Sequence, residues 1–437
     1  MYRINASDEK AAYEVKELAK MFVPESEIEL VLDGSMLSKN EQKRMCYRLL
    51  SEACSKELDW GILTGVRPEK LFRQLVRENS VEAAKKILTE EYFVSSGKIA
   101  LLEETYKIQC GLNYDTNPKA IGLYIGIPFC PTRCLYCSFT SNVITKAKAS
   151  AYMLALEKEI SAVKLLMEKQ GLYAESVYIG GGTPTALDDE DFEKLLCLTK
   201  DNFIGSNTKE WTVECGRPDT ITEKKLKLIS DYGAGRISIN PQTMKEDTLK
   251  TIGRAHTPQQ ILEAYQLARK YDFVINMDLI TGLPGESPED FKNTLETVLA
   301  LDPENITVHT LAVKKASRLI EEDPGYAFRQ AENVRQMLET AAKLLKDKFS
   351  PYYLYRQKHM AGNFENVGYE RDNTASIYNV RIMEEDQTII ALGAGGISKV
   401  YYPSENRLER VANVSNYEIY IERIDEMIQR KEIGIVL

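Results

Sequence analysis

A chain of 437 residues with 43% hydrophobic and 28% charged residues has the make-up of an ordinary water-soluble protein, long enough for two or three domains. Its net charge of −9 disfavours a broad nucleic-acid or anionic-membrane surface. The sequence shows no run of about eighteen apolar residues and no secretory leader, so the expected working place is the cytoplasm, with neither a membrane nor a nucleic acid as partner.

Residues 1–118 read as an N-terminal α/β domain: a strand over 2–4, a helix over 9–21, a strand over 28–32, then mostly helices. An apolar turn from Trp60 to Pro68 enters a helix at Pro68, where a missing N–H costs nothing. It reads as a packing corner between domains, with Arg67 as a side chain that could reach a substrate carboxylate. Over 119–320, short apolar runs at 121–127, 176–179, 211–215, 236–239, 274–280 and 306–311 read as strands. Between them, stretches at 151–169, 189–201, 222–232, 257–271 and 288–301 carry apolar residues every three or four positions, the helical period. Ser287 stands where an N-cap belongs and Pro288 at the first helical position. Six strands alternating with helices predict parallel βα units in a partial (β/α)6 barrel of the TIM type, with the chemistry at the C-terminal strand ends. Residues 321–437 read as an α+β cap and substrate region: a helical stretch, an aromatic-rich segment, a Gly-rich strand pair and a closing helix over 416–430.

The chemistry-bearing residues fall on loops after those strands. Cys130, Cys134 and Cys137 lie within eight residues, just beyond the first barrel strand. A [4Fe–4S] cluster normally takes four cysteines, so three on one loop leave one iron open for chemistry. A structural zinc site would need a second ligand pair, which is missing, and three unrelated core thiols would make a poor Pro-flanked core. The other five cysteines, Cys46, Cys54, Cys110, Cys197 and Cys215, are scattered singly and read as buried reduced thiols. The loop Gly180-Gly181-Gly182-Thr183 follows the second strand, where a backbone without side chains lets a ligand approach and free N–H groups suit an anion. Glu214 ends the third strand, Gln242 follows the fourth, Arg254 sits beyond it, and Asp278 lies near the end of the fifth. Singly, each is an ordinary surface or capping residue. Together around one barrel mouth they could grip a zwitterionic amino acid and a ribose.

The Cys-x3-Cys-x2-Cys spacing with Tyr136 before the last cysteine resembles the signature of the radical S-adenosylmethionine (SAM) superfamily. The runs Tyr124 to Cys130, Gly180 to Thr185, Val213-Glu214, Arg236 to Gln242, Gly253-Arg254 and Met277 to Ile280 resemble the oxygen-independent coproporphyrinogen III dehydrogenase family within it. Flanking runs at 60–68, 307–311, 351–358, 363–369 and 391–396 are similar to its HemZ-like branch. The resemblance implies Cys130, Cys134 and Cys137 as cluster ligands, and SAM against Tyr124, Tyr136, Gly181, Gly182, Thr183, Glu214, Gln242, Arg254 and Asp278. Two departures stand out. Phe139 replaces a fourth cysteine and Gly126 a histidine of the founding enzymes, which puts the substrate chemistry rather than the cluster in doubt.

What the family implies is oxidative decarboxylation of coproporphyrinogen III to protoporphyrinogen IX, using one or two SAM molecules and a reduced flavodoxin or ferredoxin as electron donor. The alternatives are a haem-binding chaperone or carrier, or another radical SAM enzyme acting on a tetrapyrrole. Tyr352, Tyr353, Tyr355, Arg356 and Lys358 could cover a flat anionic macrocycle, or could form an edge strand with Arg356 in an ordinary ion pair. His309 and His359 could ligate haem or be satisfied polar groups, and His256 reads as structural. Oligomeric state leaves no mark in the sequence.

Overall fold

The structure is a computed structural model, and it describes residues 1–437 apart from Ser35, Val66, 138–141, 313–318, 320–322, 324 and 358–359. The expected Phe139, Lys358 and His359 roles lie outside the described residues.

The N-terminal segment begins with parallel strands β1 (Tyr2–Ala6) and β2 (Ile28–Leu32), joined through α1 (Glu9–Ala19) and followed by α2 (Lys39–Cys54). Helices α3 (Pro68–Glu78), α4 (Val81–Glu90) and α5 (Ser96–Gly111) follow. Ile4, Val15, Leu18, Phe22, Tyr47 and Leu50 form a small core there, separate from the main one.

The six expected strands form, in parallel and in chain order: β3 (Ala120–Ile127), β6 (Tyr173–Gly181), β7 (Glu210–Glu214), β8 (Arg236–Ser238), β9 (Val274–Thr281) and β10 (Asn305–Thr310). A short parallel pair, β4 (Phe129–Cys130) with β5 (Asn142–Val143), closes the cysteine loop at its base. The crossovers are α6 (Lys146–Gln170), α7 (Asp189–Phe203), α8 (Glu223–Tyr232), α9 (Glu246–Thr251), α10 (Pro258–Ala268) and α11 (Pro288–Leu301). The expected N-cap is present: the Ser287 side chain accepts from Asp290 N. Ile121, Leu123, Ile125 and Ile127 of β3 are fully buried in the main core, so the alternate residues Gly122, Tyr124 and Gly126 face the barrel interior.

After α12 (Tyr326–Arg329) and α13 (Ala331–Leu345), the C-terminal residues enlarge the sheet at both sides. β12 (Glu365–Glu370) adds antiparallel to β10, and β11 (Ser350–Arg356) adds antiparallel to β12 at the edge. Beyond α14 (Ile377–Glu384), β13 (Ile389–Leu392) runs parallel to β3, and β14 (Ile397–Tyr402) and β15 (Arg407–Ala412) continue outward. The result is an open, 11-stranded, mostly parallel sheet with β11 and β15 at its edges. Helix α14 plugs the N-terminal mouth of the barrel. The Glu210 carboxylate, at the start of β7, accepts from the N–H groups of Ile377 (2.8 Å) and Tyr378 (3.3 Å) and from Ser376 Oγ (2.8 Å).

The Trp60 turn joins the two cores, as the packing-corner reading expects: Ile62 packs into the small core, and Trp60 and Leu63 into the main one. Arg356 lies over the Trp60 ring at 5.2 Å and donates to Leu63 O (2.6 Å) and Asn363 O (2.8 Å). Trp60 Nε1 donates to Glu365 Oε2 at 2.7 Å. Arg67 pairs with Glu385 at 3.0 Å. The closing helix is two, α15 (Tyr417–Glu422) and α16 (Ile424–Gly434), broken at Arg423. Among the described residues no helix is long and apolar enough to cross a membrane.

Glu159 of α6 is completely buried and ties this C-terminal segment to the barrel. It accepts from Gly393 N, Asn413 Nδ2, Tyr420 Oη and Lys431 Nζ at 2.6–2.8 Å. Glu159→Gln leaves the Lys431 ammonium buried without a counter-charge, so urea unfolding should show a loss of about 3–5 kcal/mol. A variant as stable as the wild type would show that this carboxylate is not the anchor.

Candidate active site

All six parallel strands point their C-terminal ends at one cleft, with about 360 Å³ of room for water-sized groups. One wall is the cysteine loop, and Cys130, Cys134 and Cys137 all line the cleft. The loop is fixed through its backbone and a threonine. Leu135 N donates to Ile252 O (2.9 Å), Thr132 Oγ1 to Gly253 O (3.0 Å), and Arg217 Nη1 to Thr132 Oγ1 (2.7 Å). Arg217 is itself held by both oxygens of Asp219 at 3.0 Å.

Gly181 and Gly182 line the cleft as expected, but for reasons of space rather than free amides. Gly182 N–H donates to Ile127 O and Thr183 N–H to Phe129 O, both at 2.8 Å, so these donors are already engaged. The Gly182 and Thr183 amides are thus spent within the fold, the Gly181 amide faces the Glu214 carboxyl, and the loop forms a close-approach cradle. A Cβ on Gly182 would lie 2.4 Å from Phe129 O and 3.0 Å from Cys130 Sγ. Thr183 places its Oγ1 3.4 Å from Cys130 Sγ.

Glu214, Gln242, Arg254, Asp278 and Tyr136 also line the cleft. Burial pushes the Glu214 carboxyl up to about 7, against a hydrogen bond from Tyr178. Tyr178 Oη donates to Glu214 Oε1 at 2.5 Å. Asp278 moves the other way: burial opposes ionisation, but His309 and Asn276 beside it outweigh that and hold its carboxyl below the usual range. Two carboxyl groups in one cleft are thus driven apart by their surroundings, the arrangement found where acid and base roles are divided. Gln242 is in the left-handed region at φ +66°, held there by Gln242 N to Asp278 O (2.9 Å) and Ile280 N to Gln242 O (3.0 Å). Its Oε1 is buried without a partner, as are Asn240 Oδ1 and Arg254 Nε. Arg254 donates to Asn240 O at 2.7 Å and lies 3.5 Å from Tyr136 Oη, joining the cysteine loop to the loop after β8.

Three of the candidate residues, Tyr124, Tyr352 and Arg356, do not line the cleft. Tyr124 does not line the cleft; its ring stacks beneath Tyr178 (6.3 Å) and Tyr378 (6.4 Å). Tyr178 occupies the position facing the cleft, because Gly180 has no Cβ to obstruct it: one would lie 2.8 Å from the Tyr178 ring. Tyr352 and Arg356 are 1% and 2% exposed and do not line the cleft: Tyr352 packs behind Tyr353 (4.7 Å) and accepts from Asn379, and Arg356 turns onto Trp60, whereas Tyr353 and Tyr355 line it, stacked at 6.3 Å. A register shift between Pro351 and Tyr353 sets that division. His309 lines the cleft, and His256 is buried 3.7 Å from Asp219. Of the five other cysteines only Cys46 and Cys215 are buried; Cys110 is exposed. Sequence reasoning missed Tyr178, Arg217, Asn276 and Thr307. Strand alternation was the available signal for Tyr178, since Val177 and Ile179 flank it as core residues.

The residues fit an iron–sulfur cluster with a chelating ligand. The donor set is three soft thiols on one wall. The glycine cradle keeps the wall beside them open, and unpartnered buried polar atoms face the same space.

Residues 124–298 match the family model of the radical SAM superfamily. The oxygen-independent coproporphyrinogen-III oxidase-like protein HemZ of Bacillus subtilis is 40% identical over 380 residues, which is 85% of this chain and 76% of the relative. The heme chaperone HemW of the same organism is 34% identical over 193 residues, 44% of this chain and 50% of HemW. The oxygen-independent coproporphyrinogen III oxidase of Pseudomonas aeruginosa is 29% identical over 197 residues, covering 44% and 42%. Among solved structures, coproporphyrinogen III oxidase (HemN) from Escherichia coli superposes with a TM-score of 0.55 over 74% of this chain and 72% of that one, at 22% identity. That likeness supports the same α/β fold.

Gly182→Ala tests the cradle. The added methyl displaces Phe129 O or Cys130 Sγ, so iron and sulfide incorporation should fall severalfold while far-ultraviolet circular dichroism stays unchanged. Full incorporation in the variant would show that the close approach has no role.

Proposed function

The chain belongs to the radical SAM superfamily, in the oxygen-independent coproporphyrinogen III oxidase-like group that includes HemZ, and we propose that it decarboxylates coproporphyrinogen III oxidatively to protoporphyrinogen IX. Membership implies a [4Fe–4S] cluster and SAM, and the reading assigns the cluster to Cys130, Cys134 and Cys137. The observation that carries it is a cleft with two unlike walls: thiols and polar groups on one side, the tyrosines Tyr353 and Tyr355 on the other. Its room for water-sized groups, about 360 Å³, lies within the roughly 300–1,000 Å³ usual for small-molecule sites, and the cleft continues outward into open solvent.

The cluster and SAM, once bound, supply a reductively generated carbon radical able to remove hydrogen from an unactivated carbon. The protein's own contribution is placement. Glu214, Gln242, Arg254 and Asp278 bind and orient SAM, and the stacked tyrosines exclude water from the reacting carbon. Each propionate side chain loses one hydrogen atom, one molecule of carbon dioxide and one electron to become a vinyl group. The reading includes one or two SAM molecules, a reduced flavodoxin or ferredoxin as donor, a cytoplasmic setting, and the division into 1–118, 119–320 and 321–437.

A second reading, a haem-binding chaperone or carrier, has support of its own. The chain is 34% identical to B. subtilis HemW over 193 residues against 29% to the Pseudomonas oxidase over 197, and Ser138-Phe139 follows Cys137 with no fourth cysteine. Fold likeness cannot divide the two.

An anaerobic incubation of the reconstituted protein with reductant, SAM and coproporphyrinogen III, read by mass spectrometry, separates them. The oxidase reading expects successive loss of two carboxyl groups with matching 5′-deoxyadenosine, abolished by Cys134→Ala and kept by Cys197→Ala. Intact substrate together with tight haem binding would support the carrier instead.

A further inference from the structure

The wall opposite the cysteines has an organised polar seam. Thr307 and His309 of β10 face the interior, because Ile306 and Val308 are buried on the other face. Asp278 Oδ2 lies 3.7 Å from His309 Nε2, and His309 Nδ1 lies 3.5 Å from Tyr355 Oη. The other Asp278 oxygen accepts from Asn276 Nδ2 at 2.7 Å, and Asn276 Oδ1 accepts from Thr307 Oγ1 at 3.0 Å. Asp278 is therefore fixed on both sides, and it in turn orients the imidazole.

The seam stands out because charge is scarce on this wall. Arg217 and Arg254 line the cysteine side, tied to Asp219 and Asn240 O. Arg356 is turned out of the cleft onto Trp60. Among the described residues lining the wall opposite the cysteines, His309 is the side chain that can carry positive charge. An isolated carboxylate or imidazolium would be costly in such a pocket, whereas a carboxylate–imidazole–phenol series can adjust its protons to an incoming charge. His309 lies between Asp278 Oδ2 and Tyr355 Oη, so a carboxylate entering the cleft meets the Tyr355 hydroxyl with the imidazole beside it. Burial and the Asp278 charge push the Tyr355 phenol up, so it keeps its proton and acts as a donor.

We infer that the Asp278–His309–Tyr355 series is the receptor for a carboxylate of the substrate, with Tyr355 O–H and the His309 imidazole as the recognising groups and Asp278 as the residue that positions them. The inference rests on the tetrapyrrole reading proposed above and deepens it: the substrate is selected by an imidazole–phenol pair rather than by an arginine clamp. His309 is accordingly a specificity residue, not an axial haem ligand.

The test uses the cluster-loaded protein with SAM and two non-reacting probes, coproporphyrin and its neutral amide derivative, with binding followed by fluorescence. Wild type should favour the acid. His309→Gln and Tyr355→Phe should each lose about ten- to a hundredfold in affinity for the acid, the value of one hydrogen bond to a charged group, and leave amide affinity unchanged. Cluster absorbance and far-ultraviolet circular dichroism should match wild type in both variants, which shows that they fold. Acid binding undiminished in both variants, or equal losses for acid and amide, would overturn the receptor while leaving the tetrapyrrole reading intact. A wild type that binds neither probe would overturn that reading and the inference with it.

Discussion

Everything at the barrel mouth depends on how a loop with no regular structure is held in place. The cysteine loop has a two-residue strand at its base, and beyond that it relies on neighbouring loops: Ile252 O and Gly253 O accept from Leu135 N and Thr132 Oγ1, and Phe129 O accepts from Thr183 N. Those partners belong to the α9–α10 connection within the crossover after β8 and to the loop after β6. Parallel βα units force such loops to the same end of the sheet, so the sheet topology brings the partners within reach before any side chain is chosen. The glycines then let the backbones close up. A Cβ at Gly253 would approach Arg133 O to 3.3 Å, and one at Gly182 would overlap Phe129 O.

The second constraint is electrostatic. The interior carries two carboxyl groups, Glu214 and Asp278, and burial alone would disfavour the charged form of both. They differ in partners. Tyr178 supplies one hydrogen bond to Glu214, which leaves its carboxyl near 7, while His309 and Asn276 keep Asp278 ionised. The tyrosines supply bulk without charge. Tyr124, Tyr178 and Tyr378 stack with centroids 4.6–6.4 Å apart and fill the barrel below the cleft, so its depth is set by aromatic packing and by the plug helix α14.

Much of this was legible from the sequence. Fully buried parallel strands read as unbroken apolar runs, so all six barrel strands fell within a few residues of their expected ends, and the cysteine spacing pointed to the site directly. What stayed hidden depended on tertiary context. Whether Arg356 or Tyr355 faces the cleft turns on a register shift between Pro351 and Tyr353, and a one-residue slip reverses a strand's faces. The glycine-loop amides looked free because their acceptors, Ile127 O and Phe129 O, lie some fifty residues earlier. Glu210 gives no local sign that it caps a helix more than 160 residues away. That β13 pairs with β3 is a long-range fact for the same reason.

The central claim is that Cys130, Cys134 and Cys137 would hold the cluster and leave one iron open to a ligand in the cleft that Glu214, Gln242 and Asp278 also line. Electron paramagnetic resonance of the anaerobically reduced protein, with and without SAM, addresses it directly. The account predicts that SAM changes the g-values of the reduced cluster, as expected when a ligand joins the open iron. A spectrum indifferent to saturating SAM, or a cluster type other than [4Fe–4S], would contradict it.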